Sequence, residues 1–119
     1  MEIKHELFTQ NYTKVLCEDK SEQRFNAPHH FSVIKADDPE TLVGVVHFQE
    51  GPIKEYGING VANEDLLLMV LTRLESFQDS PYKCEENERA IEYIKDAVRT
   101  LRERTNKRVA ENKEGTSQI

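Results

Sequence analysis

Few of the features that usually announce a function are present in this sequence. There are two cysteines, Cys17 and Cys84, far apart and fitting neither a C-x-x-C pair nor a zinc spacing. Two free thiols in a reducing cytoplasm are the reading that follows. No apolar run approaches the roughly 18 residues of a membrane span. The N-terminal MEIKHELF is too charged for a secretory leader, so neither a membrane partner nor export is expected. Neither G-x-x-x-x-G-K-[ST] nor G-x-G-x-x-G occurs, which excludes both of those phosphate loops. No Ser-His-Asp or paired-carboxylate pattern can be singled out, and catalysis has no visible seat. Positive charge is also short: the chain is formally −6, whereas binders of polynucleotide need a basic surface to release counterions. A nucleic acid polymer is not the expected partner. With 37% apolar and 32% charged residues among 119, the core must be lean. Such a chain is long enough for one domain and short enough to complete its burial against copies of itself.

What is present reads as strands followed by helices. TKVLC (Thr13 to Cys17), HFSVIKA (His30 to Ala36) and TLVGVVHFQ (Thr41 to Gln49) are short β-rich runs. The last two, separated by Asp37-Asp38-Pro39, suit an antiparallel hairpin. Leu7 to Thr13 either extends the sheet or forms a loop. GPIKEYGINGVAN (Gly51 to Asn63) holds three glycines. It is either a shaped connection from sheet to helix or a loop that touches a ligand closely. Asn63 suits an N-cap, with Glu64 and Asp65 behind it. Leu66, Leu67, Val70, Leu71, Leu74 and Phe77 then recur at helical spacing. The helix should fail at Asp79-Ser80-Pro81, and a second should begin around Cys84 to Glu86 with Ile91, Ile94, Val98 and Leu101 on its buried face. The fold class expected is α+β: an N-terminal antiparallel β-sheet followed by a two-helix antiparallel hairpin. It forms a single domain over residues 1–109, with strands over about 1–50, a loop over 51–62 and the hairpin over 63–109. The polar tail 110–119 should need a partner to become ordered.

One stretch runs against the acidic balance. RTLRERTNKR carries Arg99, Arg102, Arg104, Lys107 and Arg108 against Glu103, and five cations less one acid leave +4. Cations at a helix C-terminus complement its dipole by ~0.3–1 kcal/mol each. Alternatively, arginines beside an apolar stripe can grip a phosphate in two places. Arg104 and Arg108 share a face, four residues apart. Phe77 stands where the chain turns and can offer a ring face to a base, while Asn87 lies across that turn. Asn87 and Arg104 are 17 residues of helix apart, about 25 Å. One chain therefore cannot close all three around one small ligand, whereas a second copy packed head to tail can. The histidines suggest no metal site: His29 and His30 are adjacent and face opposite sides of a strand, and no spacing links His5 with His47.

RFNAPHHFSVI (Arg24 to Ile34), VHFQEGPIKEYGINGVANEDLL (Val46 to Leu67), RLESFQ (Arg73 to Gln78) and the helix from Asn87 to Arg108 together resemble the phage Thoeris anti-defense protein 1 family. That family shares a helical-hairpin domain with phage anti-CBASS protein 2. The resemblance implies a sponge, not an enzyme: a protein without cofactor that sequesters a bacterial immune signal in the host cytoplasm and leaves it intact. The implied ligand is a cyclic ADP-ribose isomer, glycocyclic ADP-ribose, and some relatives also take cyclic oligonucleotides at a second site. The implied assembly is a homodimer with pockets between protomers, building up to a hexamer. Carried onto this chain, the resemblance has Phe77 stack on adenine, Asn87 hydrogen-bond near it and Arg104 meet the pyrophosphate. Arg24 would help from the sheet side, with Arg108, Asn59 and Gly60 as further contacts. The tail reads AENKEGT where the hairpin family often has a GVEGT-like string. The rival readings are a sponge for cyclic di- or trinucleotides, an enzyme cleaving such signals with His29 or His30 as acid or base, and a small adaptor protein.

Overall fold

β-Branched and apolar runs pair first with their neighbours in sequence. In the computed structural model, which describes residues 1–7 and 11–119, Thr13–Cys17 (β1), His30–Lys35 (β2) and Asp38–His47 (β3) form an antiparallel sheet in the order β1-β2-β3. Thr13 lies opposite Lys35, and Cys17 opposite Phe31. On the other side of β2, His30 lies opposite His47 and Val33 opposite Gly44. The hairpin turns one residue earlier than the Asp37-Asp38-Pro39 signal suggests, at Ala36-Asp37, so that Asp38 and Pro39 open β3. Register shifts around Ile34 absorb the difference. β3 is an edge strand, where a proline without an N–H leaves the ladder intact. Residues Met1 to Ile3 run beside β1, with Ile3 N–H donating to Val15 O (2.8 Å) and Cys17 N–H to Met1 O (2.9 Å). Of the Leu7 to Thr13 segment, Phe8, Thr9 and Gln10 lie outside the described residues.

The segment after β3 is a shaped connection with a helix of its own. Ile53–Tyr56 (α1) follows Pro52 and ends at Gly57, whose N–H returns to Ile53 O at 2.8 Å and whose φ of 73° turns the chain out of the helix. The chain then passes back along the end of β3. Val61 N–H donates to His47 O and Gln49 N–H to Val61 O, both at 2.9 Å. Gly60 makes this approach possible: a Cβ there would stand 2.4 Å from the Phe48 carbonyl carbon.

Two compact units result, Met1–Val61 and Ala62–Ile119. Among the described residues, Cys17, His29 and Ile34 are buried in the first and Ile91 in the second. The second unit begins with Asn63–Gln78 (α2). The N-cap is Ala62 and not Asn63, because the Asp65 carboxylate reaches back to accept the Ala62 N–H at 2.8 Å. Leu67, Leu71 and Leu74 are half-buried, while Val70 and Phe77, expected on the same stripe, are exposed. Glu85–Ala110 (α3) is one unbroken helix of 26 residues with acids in its first turn and Lys107 and Arg108 in its last. Ile91 is buried, and Ile94, Val98 and Leu101 are half-buried along one face. The turn between the helices is closed by Gln78, whose Oε1 accepts the Cys84 N–H at 2.9 Å. The tail folds back against the end of α3 of its own chain. Arg108 donates to the carbonyls of Lys113 (2.9 Å), Thr116 (3.0 Å) and Gln118 (2.9 Å). The α+β class and the order of sheet then hairpin are as the sequence implies.

Candidate functional site

The basic island at the end of α3 divides by what each cation touches. Arg99 pairs with Asp96 at 2.9 Å, an exposed pair of small net worth. Arg108 is committed to three tail carbonyls and is half-buried. Arg104 and Lys107 are exposed and make no ion pair among the described residues. They line a cavity of about 490 Å³ with Thr100, Arg108 and Ile119, and the carboxylates of Glu103 and Glu111 also border it. The helix dipole accounts for cations in the last turn. It does not account for Arg104, which sits more than a turn before the helix end with its guanidinium unspent.

At the opposite end of this unit Phe77 closes α2. It is 37% exposed, and Ser80 Oγ donates to its carbonyl at 2.5 Å, which fixes the backbone of the turn. Arg73, one helical turn earlier, holds its guanidinium 5.2 Å from the Phe77 ring centroid. Phe77, Arg73, Ser76, Ser80 and Tyr82 line a cavity of about 430 Å³. Arg73 and Tyr82 were not singled out in the sequence; the i, i+4 spacing of Arg73 and Phe77 was the signal available. Asn87 is half-buried in the first turns of α3. The cavity beside Phe77 and the cavity beside Arg104 share no residue.

The remaining residues named from the sequence belong to the sheet unit. Arg24 is exposed and lays its guanidinium 5.1 Å from the centroid of Phe25. Its carbonyl accepts from the buried His29 ring, Nε2 to O 2.5 Å. Phe25 has a positive φ of 52°, a costly conformation for a bulky side chain. Its ring lies edge-on to Tyr56 at 5.2 Å, which helps to hold it there. Asn59 uses its whole amide locally: Oδ1 accepts from Glu50 N–H (2.8 Å) and Nδ2 donates to Glu50 O (2.9 Å). Gln49 completes the clamp, accepting from Asn59 N–H (3.0 Å) and donating to Gly57 O (2.8 Å). Asn59 and Gly60 thus have structural tasks of their own. Among the described residues, those whose donor atoms lie close enough to share a metal are His30, His47 and Glu50, all within 4.8 Å of one another.

Residues 43–109, from within β3 to the penultimate residue of α3, match the family model described as Acb2/Tad1, hairpin domain. Over 97% of its length the chain is 40% identical to Thoeris anti-defense 1 of Bacillus phage SBSphiJ7, and the match covers 96% of that protein.

Proposed function

The chain belongs to the Acb2/Tad1 hairpin-domain family, and on that premise we propose that it is a phage anti-defense sponge. It binds the nucleotide signal of a bacterial Thoeris system in the host cytoplasm, leaves the signal intact and so keeps the effector off. The ligand is a cyclic ADP-ribose isomer of the glycocyclic kind. The site is shared between two copies: Phe77 of one protomer stacks on the adenine with Asn87 beside it, and Arg104 of the other meets the pyrophosphate. Arg24 and Arg108 contribute at the margins. The dimer assembles further, to a hexamer.

The observation that carries this reading is the length of α3. Asn87 and Arg104 are fixed on one uninterrupted helix, 17 residues or about 25 Å apart. A cyclised ADP-ribose is far smaller, so an aromatic end and a cationic end on one chain cannot both reach it. Each half suits one part of the ligand. An arginine with a free guanidinium binds a diphosphate in a bidentate manner, and an exposed phenylalanine supplies a stacking face worth ~1–3 kcal/mol per base. Exposed apolar residues on α2 (Leu68 and Met69, both 60%, and Val70, 48%) provide the surface against which copies can complete a thin core.

The test is to mix the protein with each candidate signal, wash it on a filter, denature it and assay what is released. Intact cyclic ADP-ribose isomer supports the proposal. A linear product means catalysis, and retention of cyclic di- or trinucleotides alone means a different ligand. Arg104→Ala should weaken binding by about tenfold to a hundredfold, the cost of a charge-assisted contact.

A further inference from the structure

His30 and His47 are separated by sixteen residues, and nothing in their spacing links them. The register of the sheet does. They face each other across β2 and β3, and Phe48 N–H donates to His29 O just outside the pair (2.8 Å). That is the pattern of a non-hydrogen-bonded pair, in which side chains stand closest. The two imidazoles stack with centroids 4.1 Å apart and planes 21° from parallel. Both present Nε2 to one oxygen, Oε2 of Glu50, at 3.2 Å from His30 and 3.1 Å from His47.

We propose that His30, His47 and Glu50 form a binding site for a divalent transition cation of the zinc type. Ligand atoms at the corners of a tetrahedron with bonds of about 2.0–2.1 Å stand about 3.3 Å apart, close to the 3.2 Å and 3.1 Å from the two imidazoles to the carboxylate, and all three atoms lie within 4.8 Å of one another. Two neutral imidazoles and a carboxylate are a donor set for zinc and its neighbours; magnesium and calcium take oxygen ligands. Three protein ligands leave a fourth position for water or an oxyanion.

The ligands are held in place by groups outside the cluster. The His30 N–H donates to Glu18 Oε1 at 3.1 Å, and β-pairing fixes His47 from both sides. Asn59 grips the Glu50 backbone at both its N–H and its carbonyl. Such outer support is what orients first ligands in metal sites. The metal would pin the start of β2, the end of β3 and the entry to the following loop. None of this depends on the nucleotide reading, since all three residues lie in the sheet unit.

The experiment is a competition titration of metal-stripped full-length protein with zinc, repeated with cobalt to read the visible absorption of the bound ion. It is run in the wild type and in Cys84→Ser, which removes the exposed thiol. One zinc per chain is expected in both, with magnesium unable to compete and a melting temperature that rises with zinc. His30→Gln and Glu50→Gln should each weaken zinc by at least about tenfold and abolish the rise in melting temperature, whereas His5→Gln should change neither. His30 is 53% exposed at its side chain, so its replacement leaves the fold intact. Absence of zinc binding would overturn the proposal. So would zinc binding that survives both His30→Gln and Glu50→Gln, or that disappears in Cys84→Ser.

Discussion

In the sheet unit, the residues that fix the fold are polar and reach across the sequence; in the helical unit, they are apolar and repeat along it. Glu18 accepts the N–H groups of His29 and His30, His29 ties back to Arg24, and Asn59 clamps Glu50. Each is a single fastening for which no neighbour substitutes. In the hairpin, Ile91, Ile94, Val98 and Leu101 line α3 and Leu67, Leu71 and Leu74 line α2, so the load is shared. The helical unit therefore leaves Phe77 and Arg104 exposed at its two ends, while Glu18, His29 and Asn59 of the sheet unit are spent on its own backbone.

Substitutions can break or sharpen this contrast. The largest effect is expected from Ile91→Ala, which opens a cavity at the buried point of the hairpin and should cost about 2–4 kcal/mol in a denaturant melt. Gly60→Ala should cost about 2 kcal/mol, because the new Cβ meets the Phe48 and Gln49 backbone, which cannot swing aside. If that change proves neutral, the loop is not clamped as described. Glu18→Gln comes next, at about 1 kcal/mol at neutral pH. Burial pushes the Glu18 carboxyl up, but the N–H groups of His29, Glu18 itself and His30, with the charge of His30, outweigh it and hold it low. Its folded pKa lies below its unfolded one. The stabilisation is therefore present above the unfolded value and is lost as pH falls through the folded value. Chemical denaturation between neutral and acid pH should show this loss in wild type and a flatter acid limb in Glu18→Gln. The smallest effect belongs to Arg108→Ala. It should leave the melting temperature within a few degrees of wild type while amide exchange in residues 111–119 accelerates. Unchanged exchange there would mean that the arginine does not hold the tail.

The contrast also explains what could be read from the sequence. The helices were legible because their information is periodic: the break at Asp79, the start at Glu85 and the stripe from Ile91 to Leu101 follow from spacing alone. The cap at Ala62 was not, because the carboxylate that completes it comes from Asp65, three residues on. The three strands are legible as β-rich runs, but the turn falls one residue before the Asp37-Asp38-Pro39 signal, beside two register shifts around Ile34 that no spacing in the sequence displays. Nothing in the spacing of His30 and His47 joins them; only the pairing of β2 with β3 does. Arg104 and Phe77 stood out as residue types, a guanidinium in an acidic chain and a ring at a helix end. On the proposed reading the partner of each lies on another copy, which no single chain displays.

The shared pocket is tested most directly by complementation. Phe77→Ala and Arg104→Ala are purified separately, assayed at a concentration of the cyclic ADP-ribose isomer low enough that wild type retains it and neither variant does, then mixed under conditions that exchange subunits. In a two-fold dimer each mixed pair rebuilds one intact pocket and loses the other, so random assortment should restore about one quarter of the wild-type sites. No recovery on mixing, despite proven subunit exchange, would contradict a site built from two protomers.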